Sequence, residues 1–326
     1  MITLSNDHNF EYMVASGSLA FDGKGWPWER PLVSFGLIKP ELFTVVIKTL
    51  TRNPRLGNLR MYKPWTCIRL IPGGVVNKVG LTNPGIEWWC RTIGHKVDRT
   101  KIALVGSIFG TRSELVEMAK MLNSFDLVGL EVNASCPNTG HPMGDVQSVV
   151  DDVRAVKDVS RQPVIVKVSV AQDYCKIVEQ LEDVAEAVAL NSVPWEIFHP
   201  HGRTYVRSPL WRLEEDIGGG GGGGSGKPAQ EYNWPAICRL SAKVHDVPII
   251  GPSVMEYGDL AKVREAGASA ISFGAIHLPD YPIWRKPWTL FTNPCKPTAI
   301  VKRELTFRHD QIKRLGLRVQ SRVNNY

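Results

Sequence analysis

Eight short runs of apolar and β-branched residues recur along the chain, and helical spacing follows most of them. The runs are MVASG (13–17), FTVVIKT (43–49), KIALVGS (101–107), LVGLEVN (127–133), VIVKVS (164–169), AVALNS (187–192), VPIIGPS (247–253) and ASAISFG (268–274). Strands that alternate with helices are typical of parallel sheets, and eight parallel strands close into a barrel. The sequence therefore predicts an α/β fold, a (β/α)8 TIM barrel, with helices over 111–124, 146–159 and 258–265.

The net charge of +7 lies almost entirely at the C-terminal end of the sequence. From residue 296 onward there are eight lysines and arginines but only two carboxylates, Glu304 and Asp310. A basic tail of this kind is more often a solvated face or a subunit contact than an arm that binds nucleic acid. We therefore predict a barrel over residues 1–295 and a basic C-terminal tail over 296–326, and we do not expect a nucleic-acid partner.

Neither a targeting signal nor a metal-binding pattern is visible in the sequence. The start, MITLSNDHNF, lacks a basic stretch followed by an apolar core, and no run of about 18 apolar residues occurs. The six cysteines are scattered without CxxC pairs, which argues against a zinc site and against a disulfide framework. The sequence therefore predicts a cytoplasmic protein with no membrane segment and no metal site.

One cysteine has unusual neighbours. Cys136 lies in EVNASCPNTG (131–140), just after a predicted strand, with Pro137 next to it and Asn133 and Asn138 on either side. In a barrel, the residues that follow the strands form the active face. A thiol there can act as a nucleophile or a general base, whereas a structural cysteine normally lies within an apolar run. We favour an acid or base role beside a cofactor, with the asparagines holding amide or carboxylate groups of a substrate.

The segment IGGGGGGGSGKP (217–228) admits two interpretations. Its composition is that of a flexible linker. It also lies between the sixth and seventh predicted strands, where a barrel loop approaches the ligand and where glycine permits close backbone contact. We favour a mobile loop that lines a ligand with its backbone.

Several motifs occur in an order that resembles class 1 dihydroorotate dehydrogenases, the soluble flavin enzymes of pyrimidine synthesis. They are ASG (15–17), KTLTRNPRLGN (48–58), NKVGLTNPG (77–85), EVNASCPNTG (131–140), VKVS (166–169) and NSV (191–193). The resemblance runs from near the N-terminus to the eighth predicted strand. It implies a (β/α)8 barrel that binds FMN, and an activity that oxidises dihydroorotate, or a related dihydropyrimidine or carboxylate, to orotate.

The resemblance also implies roles for individual residues. Cys136 would take a proton from one substrate carbon while hydride leaves the neighbouring carbon for flavin N5, and Lys48 would contact both flavin and substrate at the catalytic centre. Lys167 would lie near the pyrimidine end of the flavin, where a cation favours the reduced anion. The substrate would be held by Asn77, Gly80, Leu81, Asn133 and Asn138. The FMN would be held by Ala15, Ser16, Gly17, Lys48, Asn133, Lys167, Val193, Gly224, Ser253, Val254, Gly274 and Ala275.

Two segments depart from the family pattern. After NSV the family continues with an asparagine and a serine or threonine that bind the far side of the pyrimidine, whereas this chain has Pro194 and Trp195. A site built to pair a dihydropyrimidine loses polar contacts by that exchange. Where the family has two glycines near the phosphate, this chain has Ser253 and Val254, and valine tolerates a positive φ poorly.

Two other functions fit parts of the sequence. A tRNA dihydrouridine synthase is also an FMN barrel with an active cysteine, and the basic tail would then grip phosphates. A non-catalytic barrel, kept as an interaction scaffold or a flavin-binding scaffold, would accommodate the exchanged residues at positions 194, 195 and 254. For the preferred function we expect a homodimer. The PRLGN and NKVGLTNPG motifs resemble the NAD-linked enzymes, which work with an electron-transfer partner subunit.

Overall fold

Eight parallel strands form a closed barrel. The computed structural model describes residues 1–60, 62–134, 145–198, 208–210 and 221–314. Its strands are β1 (Ile2–Thr3), β2 (Asn9–Phe10), β3 (Tyr12–Val14), β4 (Thr44–Val46), β5 (Ile68–Ile71), β6 (Gly74–Asn77), β7 (Ala103–Ile108), β8 (Gly129–Asn133), β9 (Val164–Val168), β10 (Ala187–Leu190), β11 (Val193–Pro194), β12 (Gly223–Gly226), β13 (Ile249–Gly251) and β14 (Ala270–Phe273). The barrel order is β3-β4-β7-β8-β9-β10-β13-β14, and β14 pairs with β3 to close it. Each predicted run supplies one barrel strand, so the predicted TIM barrel is confirmed.

Helices occupy the connections between the barrel strands. In the described residues they are α1 (Arg30–Ser34), α2 (Ile86–Thr92), α3 (Arg112–Leu122), α4 (Val146–Lys157), α5 (Tyr174–Glu179), α6 (Gln230–Lys243), α7 (Asp259–Glu265), α8 (Thr289–Thr292) and α9 (Lys296–Arg314). α3, α4 and α7 match the three predicted helices. The start of α4 is fixed by Asp145, whose side chain accepts the backbone N–H of Ser148 at 2.8 Å. No helix in these ranges is long and apolar enough to cross a membrane.

The amino-terminal end of the barrel is closed by the hairpin of β1 and β2, which pair antiparallel. Ile2, Leu4 and Phe10 are buried, and they pack with inward-facing strand residues such as Met13 and Ile165. Each fully buried side chain of this size contributes about 1.5–3 kcal/mol. The apolar filling therefore occupies this end, and the inward-facing polar residues lie toward the carboxyl ends of the strands.

A four-stranded antiparallel sheet covers the carboxyl-terminal face of the barrel. Its order is β11-β12-β6-β5. β5 and β6 belong to the connection that follows β4, and β11 and β12 belong to the connection that follows β10. Connections that follow the strands of a parallel barrel lie on the face where ligands bind. The sheet is therefore positioned to form part of a ligand site.

Glycines of the 217–228 segment are part of this sheet. Residues 223–226 form β12, which pairs with β6 on one side and β11 on the other, so the prediction of a loop is wrong for these residues. A Cβ on Gly224 would lie 2.7 Å from the ring of Phe198, and Gly226 has a φ of 96°. Close packing and backbone conformation therefore require glycine at these two positions. Residues 217–220 lie outside the described ranges.

The first 19 residues of the basic tail form α9, which packs against the barrel. Arg308 donates to the Glu11 carboxylate at 2.6 and 2.7 Å and to Glu304 at 3.0 Å. Arg264 bonds the same two carboxylates at 2.9 and 3.1 Å. Charge-assisted contacts between guanidinium and carboxylate groups are both strong and directional. They fix α9 to the barrel, and the proposed division at residue 295 stays a prediction.

Candidate active site

A cavity of about 1170 Å³ opens at the carboxyl ends of the barrel strands. Its wall includes Met13 and Ile250, which also belong to the packed interior of the barrel. Leu70 of β5 and Val75 of β6 line it from the covering sheet. The volume exceeds the range of about 300–1,000 Å³ that is usual for a single small ligand. The cavity therefore has room for a cofactor and a substrate together.

Twelve of the residues predicted from the sequence line this cavity. They are Ala15, Ser16, Gly17, Lys48, Asn77, Gly80, Leu81, Asn133, Lys167, Ser253, Gly274 and Ala275. They come from segments that are far apart in the sequence, and the barrel brings them to one face. Cys136 and Asn138 lie outside the described residues. The contacts of all these residues with cofactor or substrate stay predictions.

Three predicted cofactor residues do not line the cavity. Val193 and Gly224 are paired with each other in β11 and β12, and the ring of Phe198 packs against Gly224. Val254 is 1% exposed and belongs to the main hydrophobic core. In the structure these three residues contact other parts of the protein, and their contact with a cofactor stays a prediction.

Gly80 and Leu81 form a left-handed turn in the cavity wall, with φ values of 66° and 55°. Arg55 Nε donates to the carbonyl of Gly80 at 3.1 Å, and Asn83 Nδ2 donates to the carbonyl of Leu81 at 2.7 Å. These bonds engage the two carbonyl groups from the protein side. The turn is therefore held in this conformation in the cavity wall, and its binding of a substrate carboxylate stays a prediction.

Ser253 carries the strained backbone near the predicted phosphate end. Its φ is 71°, which is uncommon for a residue other than glycine, and Val254 has no positive φ. The hydroxyl of Ser253 accepts from Asn233 Nδ2 at 3.1 Å, and its carbonyl accepts from Gln230 Nε2 at 2.9 Å. Two side chains of α6 therefore hold the strained residue in place. Val254 is free to pack in the core.

A buried chain of polar side chains connects five of the strands or their ends. Ser16 Oγ lies 3.0 Å from Thr49 Oγ1, which lies 2.9 Å from Ser107 Oγ. The Ser107 hydroxyl donates to Glu131 Oε1 at 2.9 Å, and Lys167 Nζ donates to the same oxygen at 2.9 Å. The sequence motifs do not assign Thr49, Ser107 or Glu131 to the site. A charged residue inside the apolar run LVGLEVN is the signal that identifies Glu131.

The cavity wall carries more cationic than anionic side chains in the described part of the chain. The cations are Lys48, Arg69 and Lys167, and the carboxylates are Glu29 and Glu131. Burial raises the pKa of Glu29 to about 7, although the hydrogen bond from the Trp26 backbone N–H acts in the opposite direction. Glu29 is therefore only partly ionised at neutral pH. The resulting positive charge suits anionic ligands.

The variant Glu29→Gln is expected to be more stable than the wild type at alkaline pH but not at acid pH. The pKa of Glu29 is about 7 in the folded protein against an ordinary value of 4.5, so wild-type stability falls as the pH rises between these values. Glutamine has no carboxyl group to ionise, so the variant does not lose this free energy of unfolding, which is on the order of 2 kcal/mol after allowance for solvent screening. Thermal unfolding at acid and alkaline pH measures the difference, with Glu41→Gln as the exposed control. Parallel pH dependence in the wild type and Glu29→Gln would contradict the prediction.

Two side chains on the cavity wall have buried polar atoms that lack a hydrogen-bond partner within the described ranges. They are His277, at both ring nitrogens, and Asn233, at Oδ1. Burial lowers the pKa of His277 to about 4, so the neutral ring offers one donor and one acceptor. Buried polar groups normally have partners. The two unpartnered groups themselves have almost no accessible surface, so the groups that fit a polar, phosphorylated ligand such as FMN are the Lys167 ammonium and the backbone at Ser253 and Gly274.

Pro194 and Trp195 lie beside the cavity and do not line it. The Trp195 backbone N–H donates to the Gly222 carbonyl at 2.8 Å, and its ring centre is 5.7 Å from that of Phe198. Asn191, from the same segment, does line the cavity. The exchanged residues therefore build the covering sheet, and an amide side chain is still present on this part of the wall.

Exposed aromatic side chains surround the mouth of the cavity. Trp28, Tyr62, Trp65, Tyr281 and Trp284 line the cavity and are each more than two-fifths exposed. The ring of Trp28 is stacked on a neighbouring indole at 5.8 Å. Contiguous exposed apolar surface of this kind marks contact sites for ligands or partners. A small polar ligand inside the cavity does not by itself require these exposed aromatic side chains at the mouth.

Comparison with known proteins places the chain in one family. A family profile described as "Dihydroorotate dehydrogenase" matches residues 35–286. The catalytic subunit of dihydroorotate dehydrogenase B (NAD(+)) from Brachyspira hyodysenteriae is 30% identical over 273 residues, which cover 80% of each chain. The corresponding subunit from Pyrococcus horikoshii is 32% identical over 74% of this chain and 77% of its own. Dihydroorotate dehydrogenase A (fumarate) from Lactobacillus delbrueckii subsp. bulgaricus is 29% identical over 74% of this chain and 77% of its own.

The matched residues include the barrel strands from β4 to β14 and the cavity residues from Lys48 to Ala275. Enzymes of this family are flavin-dependent oxidoreductases that act on a CH–CH bond in pyrimidine biosynthesis. The chain shares their barrel and has a cavity at the face where barrel enzymes bind their ligands. It is therefore an oxidoreductase, and it belongs to the dihydroorotate dehydrogenase family.

Proposed function

We propose that this chain oxidises dihydroorotate, or a closely related dihydropyrimidine or carboxylate, to orotate or its analogue, with FMN as cofactor. The observation that carries the proposal is the single cavity that collects Lys48, Asn77, Asn133 and Lys167 from four segments. The positive charge of the wall suits two anionic molecules, a flavin phosphate and a substrate carboxylate. The volume of about 1170 Å³ is large enough for both.

Different parts of the cavity wall would hold the phosphate and the ring system of FMN. The backbone at Ser253, Gly274 and Ala275 would receive the phosphate, and Ser16 and Gly17 would lie along the ring system. Lys167 would approach the pyrimidine end of the flavin. When bound, FMN accepts the two electrons that the substrate loses.

The substrate would be oriented by groups on the opposite part of the wall. The N–H groups of Gly80 and Leu81 would bind its carboxylate together with the Asn77 amide, because the carbonyls of that turn are already engaged. Asn133 and Asn138 would hold the ring, with Lys48 close by. Cys136 would remove a proton from the substrate carbon next to the one that is oxidised. The roles of Cys136 and Asn138 rest on their places in EVNASCPNTG.

We further propose a cytoplasmic homodimer that passes its electrons to a partner subunit. Two of the relatives are named as catalytic subunits of NAD(+)-linked enzymes, and a catalytic subunit implies a second one. The exposed aromatic mouth provides apolar surface for such a contact. A reducing compartment agrees with the free state of Cys67, Cys90, Cys175, Cys238 and Cys295.

The visible absorption spectrum, recorded before and after anaerobic addition of dihydroorotate, tests the proposed function. We expect a flavin spectrum that bleaches. A flavin that stays oxidised would exclude dihydroorotate as the substrate and leave the cofactor in place. A colourless protein that cannot be reconstituted with FMN would support the non-catalytic barrel instead.

A further inference from the structure

Glu131 is a buried carboxylate in an otherwise apolar strand. It is 1% exposed and lies in β8, which pairs with the strand that carries Lys167. One oxygen, Oε1, accepts from Lys167 Nζ and from the Ser107 hydroxyl, both at 2.9 Å. Burial of two charges costs several kcal/mol per ion, so such a pair is weak evidence of a stabilising role. Both charged residues line the cavity, which points to a role toward the ligand.

The hydrogen-bond chain that ends at Glu131 has a definite direction. A carboxylate only accepts, so the Ser107 hydroxyl donates to Glu131 and must accept from Thr49 Oγ1 at 2.9 Å. Thr49 has then used its proton, and it accepts from Asn133 Nδ2 at 3.4 Å. Glu131 therefore holds the Lys167 ammonium directly and sets the direction of the two hydroxyl hydrogen bonds that lead to Asn133.

We propose that Glu131 is a positioning residue that lowers the reduction potential of bound FMN by holding Lys167 and offsetting its charge. This inference rests on the proposed function, because it takes FMN as the ligand of this wall. It concerns a residue that the sequence motifs do not assign to cofactor or substrate.

The expected change in the reduction potential follows from the charges next to the bound flavin. Reduction by two electrons adds negative charge to the flavin, so a nearby cation favours the reduced form. A carboxylate 2.9 Å from that cation offsets part of its field, and charges interact more strongly in a partly buried site than in water. Glu131 would thus keep the flavin able to pass electrons onward as well as to receive them.

The variant Glu131→Gln tests this inference, because glutamine keeps the side-chain length and an acceptor for Ser107 but carries no charge. Apoprotein is titrated with oxidised FMN and with chemically reduced FMN, without substrate. We expect the ratio of the Kd for oxidised FMN to the Kd for reduced FMN to rise about tenfold, which corresponds to a potential about 30 mV more positive. The matched control is Glu41→Gln, which removes the same charge from an exposed position outside the cavity, and we expect a change of less than about twofold.

An unchanged ratio in Glu131→Gln, or an equal rise in Glu41→Gln, would overturn the inference. If Glu131→Gln does not fold, Glu131→Asp takes its place, because it keeps the charge but draws it away from Lys167. We then expect a rise of about threefold, and no rise would overturn the inference. Wild type that fails to bind FMN would refute the proposed function itself. Wild type that binds FMN and is bleached by dihydroorotate, with no change in the variants, would refute only the role of Glu131.

Discussion

A serine at position 136 is expected to slow the reduction of bound flavin by dihydroorotate by about 10²- to 10⁴-fold while FMN stays bound. The proposed role of Cys136 is to remove a proton from the substrate. A serine hydroxyl is close in size to a thiol but is a much weaker acid, so it is seldom in the form that can accept that proton. Anaerobic stopped-flow absorption measures the rate directly.

The matched control for this experiment is Cys238→Ser. Cys238 is a free, exposed cysteine on α6, and its replacement should leave the rate of flavin reduction unchanged. FMN content of each variant, read from the absorption spectrum, separates a loss of proton transfer from a loss of cofactor. If Cys136→Ser reduces its flavin at nearly the wild-type rate, another group on the wall removes the proton. Lys48 would then be the first residue to replace.

The barrel strands could be predicted because the sequence specifies each of them locally. Runs such as VIVKVS and ASAISFG are buried along their whole observed length, and a parallel strand covered on both faces is a continuous apolar run. Six of the eight observed strands end before the carboxyl ends of their runs, the exceptions being β7 and β8. Lys48 and Ser253, for example, follow β4 and β13 and line the cavity instead. Polar residues at the ends of these runs thus line the cavity, and their contacts with cofactor or substrate stay predictions.

The covering sheet could not be predicted in the same way. β12 has the sequence GGSG, which has little intrinsic preference for a strand. Its partner β6 lies far away in the sequence, because Asn77 and Gly223 are 146 positions apart. The segment becomes a strand because it is paired on both sides and because Phe198 packs against Gly224. None of these contacts is local, so composition alone favoured a loop.

The pairing of Glu131 with Lys167 could not be predicted from the sequence for a related reason. A lysine in VIVKVS is visible in the sequence as a buried cation that needs an anionic partner. That partner is 36 residues earlier, on the neighbouring strand, and its identity depends on the strand order and register of the barrel. Only the register of the two strands shows that these two charged residues are neighbours. The pair in turn gives a prediction that needs no cofactor.

Lys167→Met is expected to lower the free energy of unfolding of the apoprotein by about 3–5 kcal/mol, because it leaves the Glu131 carboxylate buried without its cation. The double variant Lys167→Met/Glu131→Gln removes both charges and keeps an acceptor for the Ser107 hydroxyl. Replacement of a whole buried pair is often nearly neutral, so the double variant should regain most of the lost stability. Urea unfolding of the wild type, both single variants and the double variant gives the coupling energy between the two positions. A coupling energy near zero would mean that the two charges do not interact in the folded protein, and the inference that Glu131 acts through Lys167 would then fail whether or not FMN binds.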